Sequence, residues 1–135
     1  MSEILLEVQN LKKYFNVGKN QTLKAVDGVS FQIERGKTLG LVGESGCGKT
    51  TVGRTLLRIY EPDGGKILFD GKDISKIRRT EAKALTRRMQ MVFQDPYASL
   101  NPFFTVGEIV GEGLKIHKLC ANEREQQERV YELLR

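Results

Sequence analysis

The chain has 135 residues, 39% of them apolar and 29% charged, a balance that fits one ordinary globular domain and excludes a disordered chain. Lys and Arg number 22 against 17 Asp and Glu, and the resulting net charge of +5 suits phosphate ligands but is too small to imply nucleic acid. With 2 cysteines and 1 histidine, a disulfide framework and a metal cluster are excluded, so a reducing compartment is the default.

Met1 to Asn10 carries Glu3 and Glu7 with no basic start, which argues against a secretory leader. Residues 4–15 predict a strand, and 17–21 a loop rich in Gly, Asn and Lys. Over 22–34, Val29, Phe31 and Ile33 alternate with polar residues, as in a half-buried strand. Thr38 to Val42 is a short apolar run that predicts a strand ended by Gly43. Val52, Leu56 and Ile59 fall at helical spacing, and Pro62 stops that helix. Residues 65–71 predict another strand, closed by a turn at Asp70-Gly71.

The stretch from Ser75 to Arg88 is strongly basic, with a helix expected from about Thr80, which would cap it. A solvated face is the plainest reading of that charge run. Met89 to Phe93 is a strand candidate, and Asp95 to Pro102 reads as a loop. Thr105 to Lys118 predicts a helix that Gly107, Gly111 and Gly113 weaken. Asn122 with Glu125 resembles a capping box, and Val130, Leu133 and Leu134 make an apolar stripe behind it. That stripe is still running at Arg135, which reads as a helix cut short in a truncated chain, against a natural helix that simply ends there.

The strongest signal is GESGCGKT at 43–50, which matches the phosphate-binding loop G-x-x-x-x-G-K-[ST]. It follows a predicted strand and opens a predicted helix, as that loop requires. Gly43, Gly46 and Gly48 are expected at positive φ, so that successive N–H groups turn inward and a ligand comes close. The following helix adds its positive end. Lys49 would reach the β- and γ-phosphates, and the Thr50 hydroxyl would ligate Mg²⁺. Cys47, at a helix N-terminus, is either a reactive thiol or an inert filler of a variable position. A working NTPase also needs a carboxylate at the end of a second apolar strand. The candidates are Asp70 and Asp95. One looks like a hairpin tip and the other is flanked by Gln94 and Pro96, so that carboxylate reads as absent.

LVGESGCGKTT at 41–51, MVFQDPYASLNP at 91–102, FTVGEIV at 104–110 and EPDGGKILFDGKDI at 61–74 together resemble the ATP-binding subunits of ATP-binding-cassette importers. The likeness is to the oligopeptide, dipeptide and nickel branch, and it runs from about Leu6 to Arg135. The resemblance implies an α/β P-loop NTPase (RecA-like) core half, an N-terminal antiparallel β region and the start of a helical subdomain. The β region would be 1–37 and 63–75, the P-loop core 38–62 and 76–95, and the Q-loop with the helical subdomain 96–135. Gly43, Glu44, Ser45, Gly46, Cys47, Gly48, Lys49, Thr50 and Thr51 would be the Walker A loop. Gln94 would be the Q-loop glutamine that contacts Mg²⁺ and the attacking water. Phe15, four residues after Leu11, would stack on adenine, with Tyr14 as the neighbouring alternative and plain packing as a third reading.

The resemblance further implies ATP and Mg²⁺ as ligands. Transmembrane permease subunits would dock through 95–102, and a second ATP-binding subunit would complete the site. It places such a subunit on the cytoplasmic face of a prokaryotic cell membrane. No LSGGQ-type signature, Walker B carboxylate or switch histidine occurs, which makes this the N-terminal part of such a subunit. Two other readings compete: a different P-loop enzyme, or a non-catalytic nucleotide-binding module. The absence of an N-K-x-D motif and of an Arg-rich lid counts against a GTPase or a small kinase.

Overall fold

Two long antiparallel strands, β1 (Ile4–Gly18) and β2 (Gln21–Glu34), carry the first part of the chain. They belong to a computed structural model that describes residues 3–135; Met1 and Ser2, the start of the segment tested for a leader, lie outside it. The chain divides into two compact units, Met1–Met91 and Val92–Arg135.

In the first unit, β3 (Gly64–Phe69) pairs with the other side of β1, and the short β4 (Lys72–Asp73) pairs with β3. The sheet runs β2-β1-β3-β4 and is antiparallel throughout, as expected of the β region. Leu6 and Val8 alternate into its buried face, and Leu11 follows out of phase. A bulge resets the phase: Asn10 has φ 50° and the register shifts between Val8 and Leu11. Gly65 of β3 makes room for it, since a Cβ there would stand 2.3 Å from the Asn10 carbonyl oxygen. Val26, Ile67 and Phe69 complete the sheet's share of the core, against Val52, Ile74 and Leu85. Burying side chains of this size contributes roughly 1.5–3 kcal/mol each.

Helix α1 (Lys49–Leu56) follows the glycine-rich loop as expected. It ends before Ile59, because Arg58 turns to φ 60°, and Ile59 is exposed. Helix α2 (Arg79–Leu85) begins one residue earlier than expected. Thr80 lies inside it; Arg78 is the cap residue, and its N–H donates to Glu81 Oε2 at 3.1 Å. The loop expected at 17–21 shrinks to a tight turn at Lys19-Asn20, with Asn20 at φ 60°. Asp70 and Gly71, at φ 53° and 75°, make the hairpin turn that the sequence announces.

Two predicted strands do not form. Residues 38–42 and 89–93 lie outside the sheet, and Val42 and Val92 are 94% and 96% exposed. An apolar run becomes a strand only where a neighbour takes its backbone hydrogen bonds, and among the described residues neither segment has one.

The second unit holds α3 (Pro96–Ser99), α4 (Val106–Ile116) and α5 (Glu123–Leu133). The short α3 replaces part of the loop expected at 95–102. Asp95 Oδ1 accepts the N–H groups of Tyr97 at 2.9 Å and Ala98 at 3.2 Å, and Pro96 takes the first helical position. Thr105 and Glu108 cap α4 reciprocally, and Asn122 Oδ1 accepts the Glu125 N–H at 2.9 Å to start α5. At Gly111 the two helices come close, since a Cβ there would meet Gln126 Nε2 at 2.6 Å. Of the expected stripe on α5, Val130 is buried, while Leu133 and Leu134 are more than half exposed.

Candidate functional site

The phosphate motif forms a bent loop over 43–48 that runs into α1. Gly46 has φ 79° and Gly48 φ 98°, as expected. Gly43 departs from the expectation. It is not at positive φ, and a Cβ there would stand 2.5 Å from Cys47 Sγ, so a larger residue needs only the Cys47 side chain to move. Gly48 begins α1 with no side-chain cap, and the Val52 N–H donates to its carbonyl at 2.9 Å. The N–H groups of Lys49, Thr50 and Thr51 therefore open the helix without an intrahelical acceptor. That leaves a row of donors on the positive end of a helix dipole, where an anion is favoured.

Lys49 Nζ bridges this loop. It donates to the carbonyl oxygens of Gly43 at 2.7 Å and Glu44 at 2.5 Å, and lies 3.4 Å from Cys47 Sγ. Its charge is thus held on the loop's own carbonyls, close to the thiol. Ser45, Cys47 and Thr50 are exposed, and Thr51 is half-buried.

The loop is fixed to the sheet through β2. A Cβ on Gly48 would stand 2.3 Å from the Ala25 carbonyl oxygen, so helix start and strand touch backbone to backbone. Two residues along β2, Leu23 pairs with Phe15 of β1. Neighbouring Tyr14 is engaged elsewhere. Its hydroxyl donates to Asp27 Oδ1 at 2.5 Å, and Lys24 Nζ lies 5.6 Å from its ring centre. Accepting that bond lowers the Asp27 pKa, and giving it raises that of Tyr14. Phe15 instead meets Tyr60, just beyond α1, edge to face at 5.3 Å.

The two carboxylates weighed as catalytic both have structural partners. Asp70 accepts from Arg88 at 2.6 Å and from Arg35 at 2.5 Å, and these guanidinium groups hold its pKa below the ordinary value. Asp95 caps α3. Gln94 lies in the second unit, exposed, one residue before that cap. A groove of about 870 Å³ between α4 and α5 contains none of the phosphate-loop residues. Sequence reasoning missed α3 and Tyr60. The Asp-Pro pair was the available signal for the helix; nothing local marks Tyr60.

The profile of the ABC transporter family matches residues 26–135. The oligopeptide transport ATP-binding protein OppF of Bacillus subtilis is 54% identical over 99% of this chain and 44% of its own length. The putative oligopeptide transport ATP-binding protein YkfD of the same organism is 52% identical over 96% of this chain and 40% of its own. The chain therefore spans about two-fifths of the length of these curated relatives. Among solved structures, the post-hydrolysis dimer of the ATP-binding cassette MJ0796 with ADP and Pi superposes with a TM-score of 0.78. It is 23% identical, over 94% of this chain and 54% of that one, and so speaks for the fold alone. CbiO1 of Clostridium perfringens, part of the cbiONQ transporter complex, gives 0.73 at 30% identity, over 98% of this chain and 49% of that one.

Proposed function

The chain belongs to the ABC transporter family, and from that premise we propose that it is the nucleotide-binding part of a subunit that hydrolyses ATP to drive uptake of oligopeptides, dipeptides or similar solutes. The observation that carries this reading is one juxtaposition. The start of α1 packs against β2 at Ala25, and two residues along β2 Leu23 pairs with Phe15 of the neighbouring strand β1. The same end of the sheet thus carries an aromatic ring and receives the anion cradle, the two features that a nucleotide asks for.

In this reading the N–H groups opening α1 bind phosphate oxygens, and Lys49 exchanges its loop carbonyls for the β- and γ-phosphates. Phe15 stacks on the base, which uses the π-face and reads no hydrogen-bond pattern. Glu44, Ser45, Cys47 and Thr51 line the loop. Among the described residues no group of three or more His, Cys, Asp or Glu is placed to hold a metal. The Thr50 hydroxyl is a neutral oxygen that suits Mg²⁺, an ion that keeps its water and takes most of its other ligands from phosphates. When bound, Mg²⁺ neutralises phosphate charge as the γ-phosphate is transferred to water.

The exposed Tyr97 and Leu100, with Phe103 beyond them, support docking of transmembrane permease subunits through 95–102. No helix of the described residues is long and apolar enough to cross a membrane, and the subunit would sit on the cytoplasmic face of a prokaryotic membrane through those partners. A second ATP-binding subunit would complete the catalytic site. The test is calorimetry of MgATP binding to Lys49→Ala. Loss of the charged contact should cost on the order of 3 kcal/mol. Unchanged affinity would remove the phosphate-loop reading.

A further inference from the structure

Tyr60 lies outside the phosphate motif, yet it joins α1 to the aromatic end of β1. Arg54, on α1 five residues after Lys49, donates from Nη1 to the Tyr60 hydroxyl at 3.0 Å. The Tyr60 backbone N–H donates to the Arg54 carbonyl at 3.3 Å, so side chain and main chain are tied to one helical residue. The Arg54 guanidinium also lies 5.9 Å from the Tyr60 ring centre. The Tyr60 ring then meets Phe15 with the two planes at 81°.

The segment after Tyr60 is stitched to the same strand end. Asp63 donates its N–H to the Lys12 carbonyl at 2.8 Å and accepts the Tyr14 N–H at 2.7 Å. Its carboxylate pairs with Lys13 at 3.1 Å, and the same ammonium lies 5.2 Å from the Phe15 ring centre. Phe15 is therefore held by two groups, one anchored to the phosphate helix and the other to the segment leaving it.

We propose that Tyr60 is a positioning residue for nucleobase binding: anchored to α1 by Arg54, it sets the plane of the Phe15 ring relative to the phosphate loop. The inference rests on the reading of Phe15 as the base-stacking ring. A T-shaped aromatic contact fixes a ring's tilt, and stacking is sensitive to that tilt. Because the anchor is on α1, the base-stacking ring and the phosphate cradle move as one body.

The test is binding by the full chain of two probes, MgATP and magnesium tripolyphosphate, which has the phosphates and no base. Tyr60→Ala should weaken MgATP about 3–10-fold and leave tripolyphosphate unchanged, in proportion to one lost aromatic pair. Tyr60→Phe keeps the ring contact, the backbone bond to Arg54 and the guanidinium over the ring, losing only the hydroxyl bond, and should retain most of the affinity. Phe15→Ala should weaken MgATP alone, and adding Tyr60→Ala to it should cost nothing further, because the second residue acts through the first.

If Phe15→Ala leaves MgATP binding intact, the base-stacking reading fails and this inference with it. If Phe15→Ala weakens MgATP but Tyr60→Ala does not, or the two effects add, Tyr60 does not position the ring and only this inference falls. Equal weakening of both probes by Tyr60→Ala would mark a general structural role and overturn it too. So would a Tyr60→Phe form as weak as Tyr60→Ala. Should Tyr60→Ala not fold, Tyr60→Leu keeps bulk without an aromatic edge and serves in every arm.

Discussion

Gly48 stands so close to Ala25 that a Cβ on it would lie 2.3 Å from the Ala25 carbonyl oxygen. The contact is between two backbones, so no side-chain rotation relieves it. It fixes where α1 starts relative to β2, and with it the height of the phosphate cradle over the sheet.

Gly48→Ala should therefore be far worse than Gly46→Ala. Both residues have positive φ, at 98° and 79°, but a Cβ on Gly46 meets nothing within 4 Å. Gly46→Ala carries only the left-handed strain, about 1 kcal/mol. Gly48→Ala adds a backbone clash and should lose at least about 2–3 kcal/mol. Urea midpoints of the two variants give the comparison; similar midpoints would mean that α1 does not bear on β2 as described.

Cys47 should react with a small maleimide, and MgATP should protect it. The thiol is exposed, 3.4 Å from the Lys49 ammonium, and beside the donors that open α1. A phosphate bound there would cover it and draw Lys49 away. Labelling that is equally fast with and without MgATP would separate the thiol from the ligand.

Asp70 gives the first unit an acid-sensitive clasp. Arg88 first, and Arg35 after it, hold its carboxyl below the ordinary 3.8. A pKa lowered by folding means that the ion pairs contribute fully above the unfolded value and fade as pH falls through the folded one. Asp70→Asn should lower the urea midpoint near neutral pH, and the difference from the parent chain should shrink below about pH 4. The groups are partly exposed, so the effect is small and salt should reduce it. A gap that persists at low pH would assign the loss to packing.

The chain should bind MgATP without turning it over. Asp70 is engaged by two arginines and Asp95 caps α3, so neither is free to polarise an attacking water. Phosphate release by purified chain, with Lys49→Ala as control, measures this. Turnover clearly above that control would return one of these carboxylates to the catalytic role.

What the sequence determines by itself is whatever depends on residues within about four positions of each other. The Gly-rich loop opening a helix, the Asp70-Gly71 turn, the Thr105 cap with Glu108 and the Asn122 cap with Glu125 are all of this kind. Each is a backbone angle or a hydrogen bond that the local residue types favour directly. Asp95 before Pro96 belongs with them, although its neighbours Asn101 and Pro102 disguise it as loop. The tertiary structure decided what needs a distant partner. Thr38 to Val42 has a strand's composition but among the described residues no ladder to join, so it stays outside the sheet and exposed. The bulge at Asn10 exists because Gly65, 55 positions away, leaves room for it. The surroundings of Tyr14 and Phe15 were also open in the sequence. Tyr14 meets Asp27 and Phe15 meets Tyr60, both through residues far along the chain. Adjacent residues of a strand point to opposite faces, and only packing says what each face meets.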